Sequence, residues 1–482
     1  MENSWTPSIL EAGRQRVESA PHDRYLMSGD SLRIAFQGSA SDVEVMHELL
    51  SPWNVSFTNL DEADLAIVYK EKPLKMEKTI IIPSDCSDFN TCVKNTNSEC
   101  KKRLGKPVSV VAGSKTILSI TPQTLYCYEG SIRSKSDAAA SAVAEASESL
   151  VFLTLDVINE YWKILRETLS PKPSKLYRLI TNLPIAYNLA PKHLRDWFMR
   201  EQSRPDDFLF CDKLSLDALR FVLVRAIEKS SSKKLHGKMW NGKKHVFMLT
   251  HDVDTREGLG RAKKLKKTED RYDLPSAWYI PSKKYRLEPE AIREFADHGE
   301  VGAHDTKHDG KLGQISGDKL IERLLEARKM LEGIIRKQVK GFRAPLLQHS
   351  FKIIHALRNA GYAYDTSIPT WEPKHPETMK AHGIATVYPM TIEGITEIPI
   401  TLPQDHQLLN VLGLSPEEAL KEWMTMMDFI KNIGGMSTIL IHPDHKLAFP
   451  ENSMMYDELL NMIASDSDVL VSLPMDMGDL AR

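Results

Sequence analysis

Beyond Lys244 the chain alternates short apolar runs with amphipathic stretches, and this alternation constrains its fold more than any other feature. The runs HVFMLTH, PSAWYIP, EVGAH, VKGFRAP, YAYDTS, TEIPI, STILIH and DVLVSLP read as strands, because each is short, apolar and bounded by polar or turn-forming residues. Between them EPEAIREFADHG, GDKLIERLLEARKMLEGIIRK, HSFKIIHALRNAG and SPEEALKEWMTMMDFIKNIGG carry apolar residues at helical spacing. The last of these has helix punctuation at both ends: Ser415 as cap, Pro416 in the first turn, Glu418 completing a capping box, and Gly434 and Gly435 at the far end. Strands that alternate with helices in one direction pair in parallel through helical crossovers, and about seven or eight of them predict a closed or nearly closed (β/α) barrel.

The preceding half has a different character. Residues 1–30 form an N-terminal extension. Residues 31–125 read as a small α/β accessory domain, with strands in SLRIAFQG, NVSFTN, ADLAIVY and KTIIIPSD and a helix in SDVEVMHELLS. Its first turn, QGSASD, lacks the repeated glycines of a dinucleotide fingerprint, so an accessory role is preferred to a cofactor site. Residues 126–240 are predicted to be mainly helical, from the apolar spacing in AAASAVAEASESLVFLTLDVINEYWKIL and SLDALRFVLVRAIEK, and to end in the linker KSSSKKLHGKMWNGKK. The barrel then occupies residues 241–482, and the overall class is α/β.

Bulk properties exclude several function classes. The 482 residues contain 63 Lys plus Arg against 65 Asp plus Glu, so no global field draws the chain to nucleic acid or an anionic membrane. Five cysteines, odd in number and without a C-x-x-C pair, argue against a disulfide framework or a zinc knuckle. The opening residues lack the pattern of a secretory signal, and no run is long enough to read as a transmembrane span, so a cytoplasmic location is expected.

Polar residues of interest gather where the barrel strands end, the face on which a parallel barrel assembles its site. Asp252 and Asp254 close the run VFMLT, two apart, so that both carboxylates reach one pocket. In GAHDTKH, His304 and His308 are four apart, and on a helical turn this spacing puts both imidazoles on one face, as a divalent ion requires. One carboxylate with two imidazoles leaves coordination positions for water and substrate, the composition of a catalytic rather than a structural metal site.

These motifs resemble those of the polysaccharide deacetylase (NodB-homology, carbohydrate esterase) family: LTHDVD its first motif, HDTKH its second, GFRAP its Arg-x-Pro motif and ILIH its final hydrophobic-then-histidine motif. The resemblance covers only the C-terminal half. It implies a distorted (β/α) barrel with Asp252 as general base, Asp254, His304 and His308 as metal triad, Arg343 orienting Asp252, and His442 as general acid. It also implies a backbone N–H donor to the oxyanion at Leu346, where the family has Tyr, and a carboxylate behind His442, for which Asp405 in TLPQDH is the candidate. The ion is expected to be Zn²⁺, other first-row divalent ions being compatible with the donor set.

The expected activity is metal-dependent hydrolysis of a non-peptide carbon–nitrogen bond, removing an acetyl group from an acetylated amino sugar or sugar-containing precursor. Hydrolysis of a small non-sugar amide or imide is the alternative within that class. A metal-dependent glycosyltransferase leaves His304, His308 and His442 without a task, and a non-catalytic carbohydrate-binding barrel leaves the base and acid without one. Among neighbouring residues, His251 reads as packing, His445 competes with His442 as acid, and His349 and His406 read as rim histidines. Trp278 and Trp423 read as core, while Trp371 is a candidate sugar platform.

Overall fold

The computed structural model describes residues 31–71, 78–84, 99–104, 108–112, 116–129, 143–145, 150–172, 213–237, 240–373 and 381–480. The expected N-terminal extension lies outside them.

The first unit is a sheet ordered β2-β1-β3-β4-β10-β9. It uses β1 (Leu32–Gln37), β2 (Val55–Phe57), β3 (Leu65–Tyr69), β4 (Thr79–Ile82), β9 (Val143–Glu145) and β10 (Leu150–Leu153). All pairings in it are parallel except β9 with β10. Two hairpins, β5 (Glu99–Leu104) with β8 (Thr124–Glu129) and β6 (Val108–Ala112) with β7 (Thr116–Ile120), lie between β4 and β9 in sequence. Helix α1 (Ala40–Leu50) starts on a capping box in which Ser39 and Asp42 satisfy each other's backbone N–H groups.

The mainly helical expectation for residues 126–240 is corrected here. Among the described residues it holds for α2 (Val157–Leu169) and α3 (Ser215–Ser231), whereas LVFL is β10, a parallel neighbour of β4. A strand buried on both faces is apolar at every position, and such a run cannot be told from a buried helix by periodicity.

The second unit is the expected barrel. Strands β11 (His245–Asp252), β12 (Ser276–Ile280), β13 (Gly299–Ala303), β14 (Gly341–Phe342), β15 (Tyr364–Asp365) and β17 (Ile395–Glu397) follow one another in parallel. On the other side of β11 runs β18 (Met436–Ile441); β19 (Val469–Val471) pairs with the first residues of β11 on the same side as β12, which takes the later ones, while β16 (Met390–Ile392) is an antiparallel edge to β17. The gap between β17 and β18 is bridged by residues 398–402: Ile398 N donates to Asp365 O, and Thr401 N and Leu402 N both donate to Thr438 O. The barrel is therefore distorted, one of its staves being an irregular segment rather than a full strand.

Helices α4 (Arg256–Arg271), α5 (Pro289–Asp297), α6 (Gly317–Ile335), α7 (Phe351–Asn359), α8 (Pro416–Asn432), α9 (Ser453–Ser465) and α10 (Pro474–Leu480) cover the barrel. The punctuation of α8 is as the sequence indicates: Ser415 Oγ accepts from Glu418 N, Glu418 returns the bond to Ser415 N, and Gly434 takes a φ of 73°. No described helix is long and apolar enough to cross a membrane.

Helix α3 ties the two units together through buried charge. Asp217 accepts from Thr386 Oγ1 (2.6 Å) and Val387 N (2.9 Å), and Arg220 bonds Glu48 on α1. Burial pushes the Asp217 carboxyl up to about 6, against the pull of Arg220. Replacing Asp217 by Ala strands both donors and leaves the fully buried Arg220 short of a counter-charge. Asp217→Ala is expected to lower stability by about 3 kcal/mol, measured by chemical denaturation, while leaving the barrel site intact.

Candidate active site

The end of β11 sets the geometry. Its alternation turns Thr250 and Asp252 inward and His251 outward, where the imidazole stacks on Trp278 (4.0 Å between centroids) and contacts Glu269. His251 is thus the packing residue expected.

Arg343, just beyond β14, is fully buried and spends its donors inside the barrel. Nη1 donates to Asp252 Oδ1 (3.2 Å) and Thr250 Oγ1 (2.9 Å), and Nε and Nη2 donate to Thr366 O and Oγ1. The guanidinium also lies 4.3 Å from the centre of the Tyr279 ring. Asp252 is held on one side by this fork, and its other oxygen stands 3.7 Å from His304 Nε2.

Asp254, His304 and His308 converge, their candidate ligand atoms all within 4.8 Å of one another. His308 Nε2 lies 2.8 Å and His304 Nε2 3.3 Å from Asp254 Oδ1. That oxygen is buried and, among the described residues, accepts no bond of hydrogen-bond geometry. His304 Nδ1 lies 2.8 Å from Arg343 O, so Nδ1 carries the proton and Nε2 offers its lone pair to the cluster. A buried carboxylate oxygen approached by imidazole nitrogens out of hydrogen-bond alignment suits ligands that share one cation, so the residues present fit a divalent ion. Burial would raise the Asp254 carboxyl, but the two histidines hold it well below the usual range; His304 is raised, Asp252 and Asp254 outweighing its burial.

One expectation about this cluster is corrected. His304 and His308 do not share a helical turn; they lie in the loop after β13, where Asp305 (φ 65°) and His308 (φ 51°) are left-handed. What shapes the loop is Asp305, absent from the sequence reading. It accepts from His308 N (3.1 Å) and is gripped by Arg323 of α6, which also holds Asp309. The aspartate inside HDTKH was the available signal.

His442 ends the rim after β18. Its Nδ1 lies 2.8 Å from Asp405 Oδ1, and its backbone N donates to Asp405 Oδ2 (3.2 Å). The structure therefore puts Asp405 behind His442, at the start of the π-helix His406–Leu412, leaving Nε2 on the side away from that carboxylate. His445 stands 4.9 Å from His442 between ring centroids. Leu346 lies in the turn Pro345–Leu347 with φ 56°, against the loop at Gly310.

Asp444 is a further residue the sequence reading missed. It accepts from Asp254 N (3.0 Å) and Thr255 Oγ1, tying the two rim loops after β11 and β18. Gly258 makes room for it, since a Cβ there would fall 2.4 Å from Asp444 Oδ2. Two other expectations change. His349 is buried, stacked 5.0 Å from His382, rather than on the rim, and Lys213 lies over the Trp371 ring at 5.1 Å.

Burial alone would lower the His442 imidazolium, but Asp405 and, further off, Asp252 and Asp254 outweigh it and raise the group to about 9. Because the folded value lies above the ordinary 6.5, the stability this pair contributes is fully present below about 6.5 and is lost as pH rises through about 9. Proton titration by NMR is expected to find His442 near 9, and Asp405→Asn to bring it below 6.5 by removing the charge that opposes burial.

The chain matches no curated protein. Among solved structures, a protein described as a "putative polysaccharide deacetylase" from Mycobacterium smegmatis is 19% identical over 51% of this chain and 92% of its own, with a TM-score of 0.43. The Puue allantoinase is 15% identical over 50% and 91%, with a TM-score of 0.40. A protein described as a probable polysaccharide deacetylase from Pseudomonas aeruginosa PAO1 is 16% identical over 50% and 91%, also at 0.40. The family model described as Polysaccharide deacetylase matches residues 241–364, which include Asp252, Asp254, His304, His308 and Arg343 and stop short of Asp405 and His442. Residues 241–364 of this chain thus match the family described as Polysaccharide deacetylase, a family of enzymes, and that match takes in the first half of the barrel.

Proposed function

We propose that the chain is a divalent-metal-dependent hydrolase that removes the acetyl group from the nitrogen of an acetylated amino sugar. The observation that carries this reading is the convergence of Asp254, His304 and His308 between an arginine-held carboxylate, Asp252, and a carboxylate-backed imidazole, His442. Zinc suits one carboxylate and two imidazoles, and other first-row divalent ions suit them as well.

Amide hydrolysis needs an activated water, stabilisation of the oxyanion and a proton for the departing nitrogen. A divalent ion on Asp254, His304 and His308 would supply Lewis-acid polarisation of the carbonyl and acidification of water. Asp252 takes the proton of the attacking water as its oxygen bonds to the carbonyl carbon. Arg343 keeps that carboxylate aimed and, through its carbonyl, fixes the tautomer of His304. The Leu346 N–H is the proposed donor to the oxyanion. His442, protonated at neutral pH with Asp405 behind it, gives its proton to the nitrogen as the carbon–nitrogen bond breaks, and acetate and the free amine leave. Location and oligomeric state play no part in this reading.

The decisive experiment follows acetate and amine release from a panel of N-acetylated amino sugars and small cyclic amides, with and without chelator. Chelator-sensitive release from the sugars supports the reading; release from cyclic amides alone transfers it to the non-sugar class.

Variants test the individual roles. Asp254→Ala and His304→Ala are expected to lose the bound ion, measured by elemental analysis after gel filtration, and full occupancy in both would reassign the triad. Asp252→Asn is expected to keep the ion and lose roughly 10²–10⁴-fold in kcat, the usual weight of a general base. A loss below about tenfold would give the base role to another group.

A further inference from the structure

We propose that Glu397, Asp365 and Ser367 form a proton-bearing hydrogen-bond relay that positions the Arg343–Leu346 turn, an inference that rests, for its catalytic consequence, on the proposed hydrolase reading.

Strand register brings the groups together. Phe342 pairs with Asp365, and Asp365 with Glu397, across the parallel strands β14, β15 and β17. Both carboxyl groups are fully buried. Asp365 Oδ2 and Glu397 Oε2 are buried and accept from no donor among the described residues, and the strand pairing sets these two side chains beside each other. Two ionised carboxylates cannot share such a place, and one proton held between them turns the repulsion into a hydrogen bond.

Arg343 attracts both carboxyls through space but hydrogen-bonds neither, because its donors go to Thr250, Asp252 and Thr366. The remaining atoms assign the direction of the relay. Glu397 Oε1 accepts from Ile368 N (3.0 Å), so Oε2 carries the proton and donates it to Asp365. Asp365 Oδ1 accepts from the Ser367 hydroxyl (2.5 Å), which in turn accepts from Ala344 N (2.8 Å). Thr366, between them, holds Arg343 with two bonds of 3.0 Å.

The segment Asp365–Ser367 therefore grips Arg343 and Ala344 together, immediately before the left-handed Leu346. The Arg343 carbonyl is also the group that fixes His304. One relay thus reaches the base, the oxyanion turn and a metal-cluster histidine at once, without touching substrate. Burial pushes both carboxyls above the usual range, and the charge of Asp365 pushes Glu397 further, which keeps the shared proton on Glu397.

Three variants of the full chain test the relay. Glu397→Gln keeps both bonds, since its amide donates to Asp365 and its carbonyl accepts from Ile368 N. Glu397→Leu cuts the relay at its source, and Ser367→Ala cuts it between Asp365 and Ala344 while leaving the two carboxyl groups side by side. With an N-acetylated amino sugar as probe, Glu397→Gln is expected to stay within about threefold of the parent kcat. Glu397→Leu and Ser367→Ala are expected to lose about tenfold or more at near-constant KM, as misplaced catalytic groups do. Unchanged kcat in Ser367→Ala, or equal losses in Glu397→Gln and Glu397→Leu, would overturn the positioning role.

A second measurement needs no activity. The folded parent retains a proton that the unfolded chain releases above about pH 4.3, so its unfolding constant should rise relative to that of Glu397→Gln by about tenfold per pH unit between roughly pH 5 and 7. Parallel pH profiles would overturn the shared proton. If the parent hydrolyses none of the amides, the hydrolase reading fails while this comparison still decides the relay; if Glu397→Leu does not fold, Ser367→Ala and Glu397→Gln carry the test.

Discussion

The contact on which the rest of the site depends is the buried fork between Arg343 and Asp252. A fully buried guanidinium is costly unless each donor is met, and here Thr250, Asp252 and Thr366 meet them from two other strand ends. Because those partners belong to β11 and to the segment after β15, the ion pair locks the barrel's interior as well as aiming a carboxylate. The same residue's carbonyl sets the tautomer of His304, so Asp252 and the Asp254–His304–His308 cluster share one anchor.

Charge elsewhere in the pocket is arranged by opposition. Asp252 faces a permanent cation, whereas Asp405 faces an imidazole that burial alone would discharge. The result is an arginine-held carboxylate and a carboxylate-backed imidazole within one buried rim, the imidazole raised against its own burial.

Much of this was legible in the sequence, for identifiable reasons. Strand–helix alternation after Lys244 is a long, redundant signal, so the barrel and the grouping of Asp252 and Asp254 with His304 and His308 followed from the residues, while Arg343 and His442 came from the resemblance of GFRAP and ILIH to family motifs. Asp405 was reachable only by asking which carboxylate could stand behind His442, because 37 residues separate the two and their contact is tertiary. The form of the His304–His308 loop was not legible. A spacing of four fits a helical turn, and the left-handed residues that replace it depend on Arg323, a helix away. Strand β10 escaped because LVFL has no alternation to read.

The bond from Asp254 N to Asp444 joins residues 190 positions apart, and β11 lies between strands drawn from both ends of the barrel sequence. As the chain leaves the ribosome, Asp254, His304 and His308 emerge before the loop that braces Asp254 and the strand that presents His442. A partly synthesised chain can bury much of its barrel and still lack a finished rim. Asp254 and His442 are therefore braced together only as β18 pairs with β11, so the rim is finished by the same step that closes the fold.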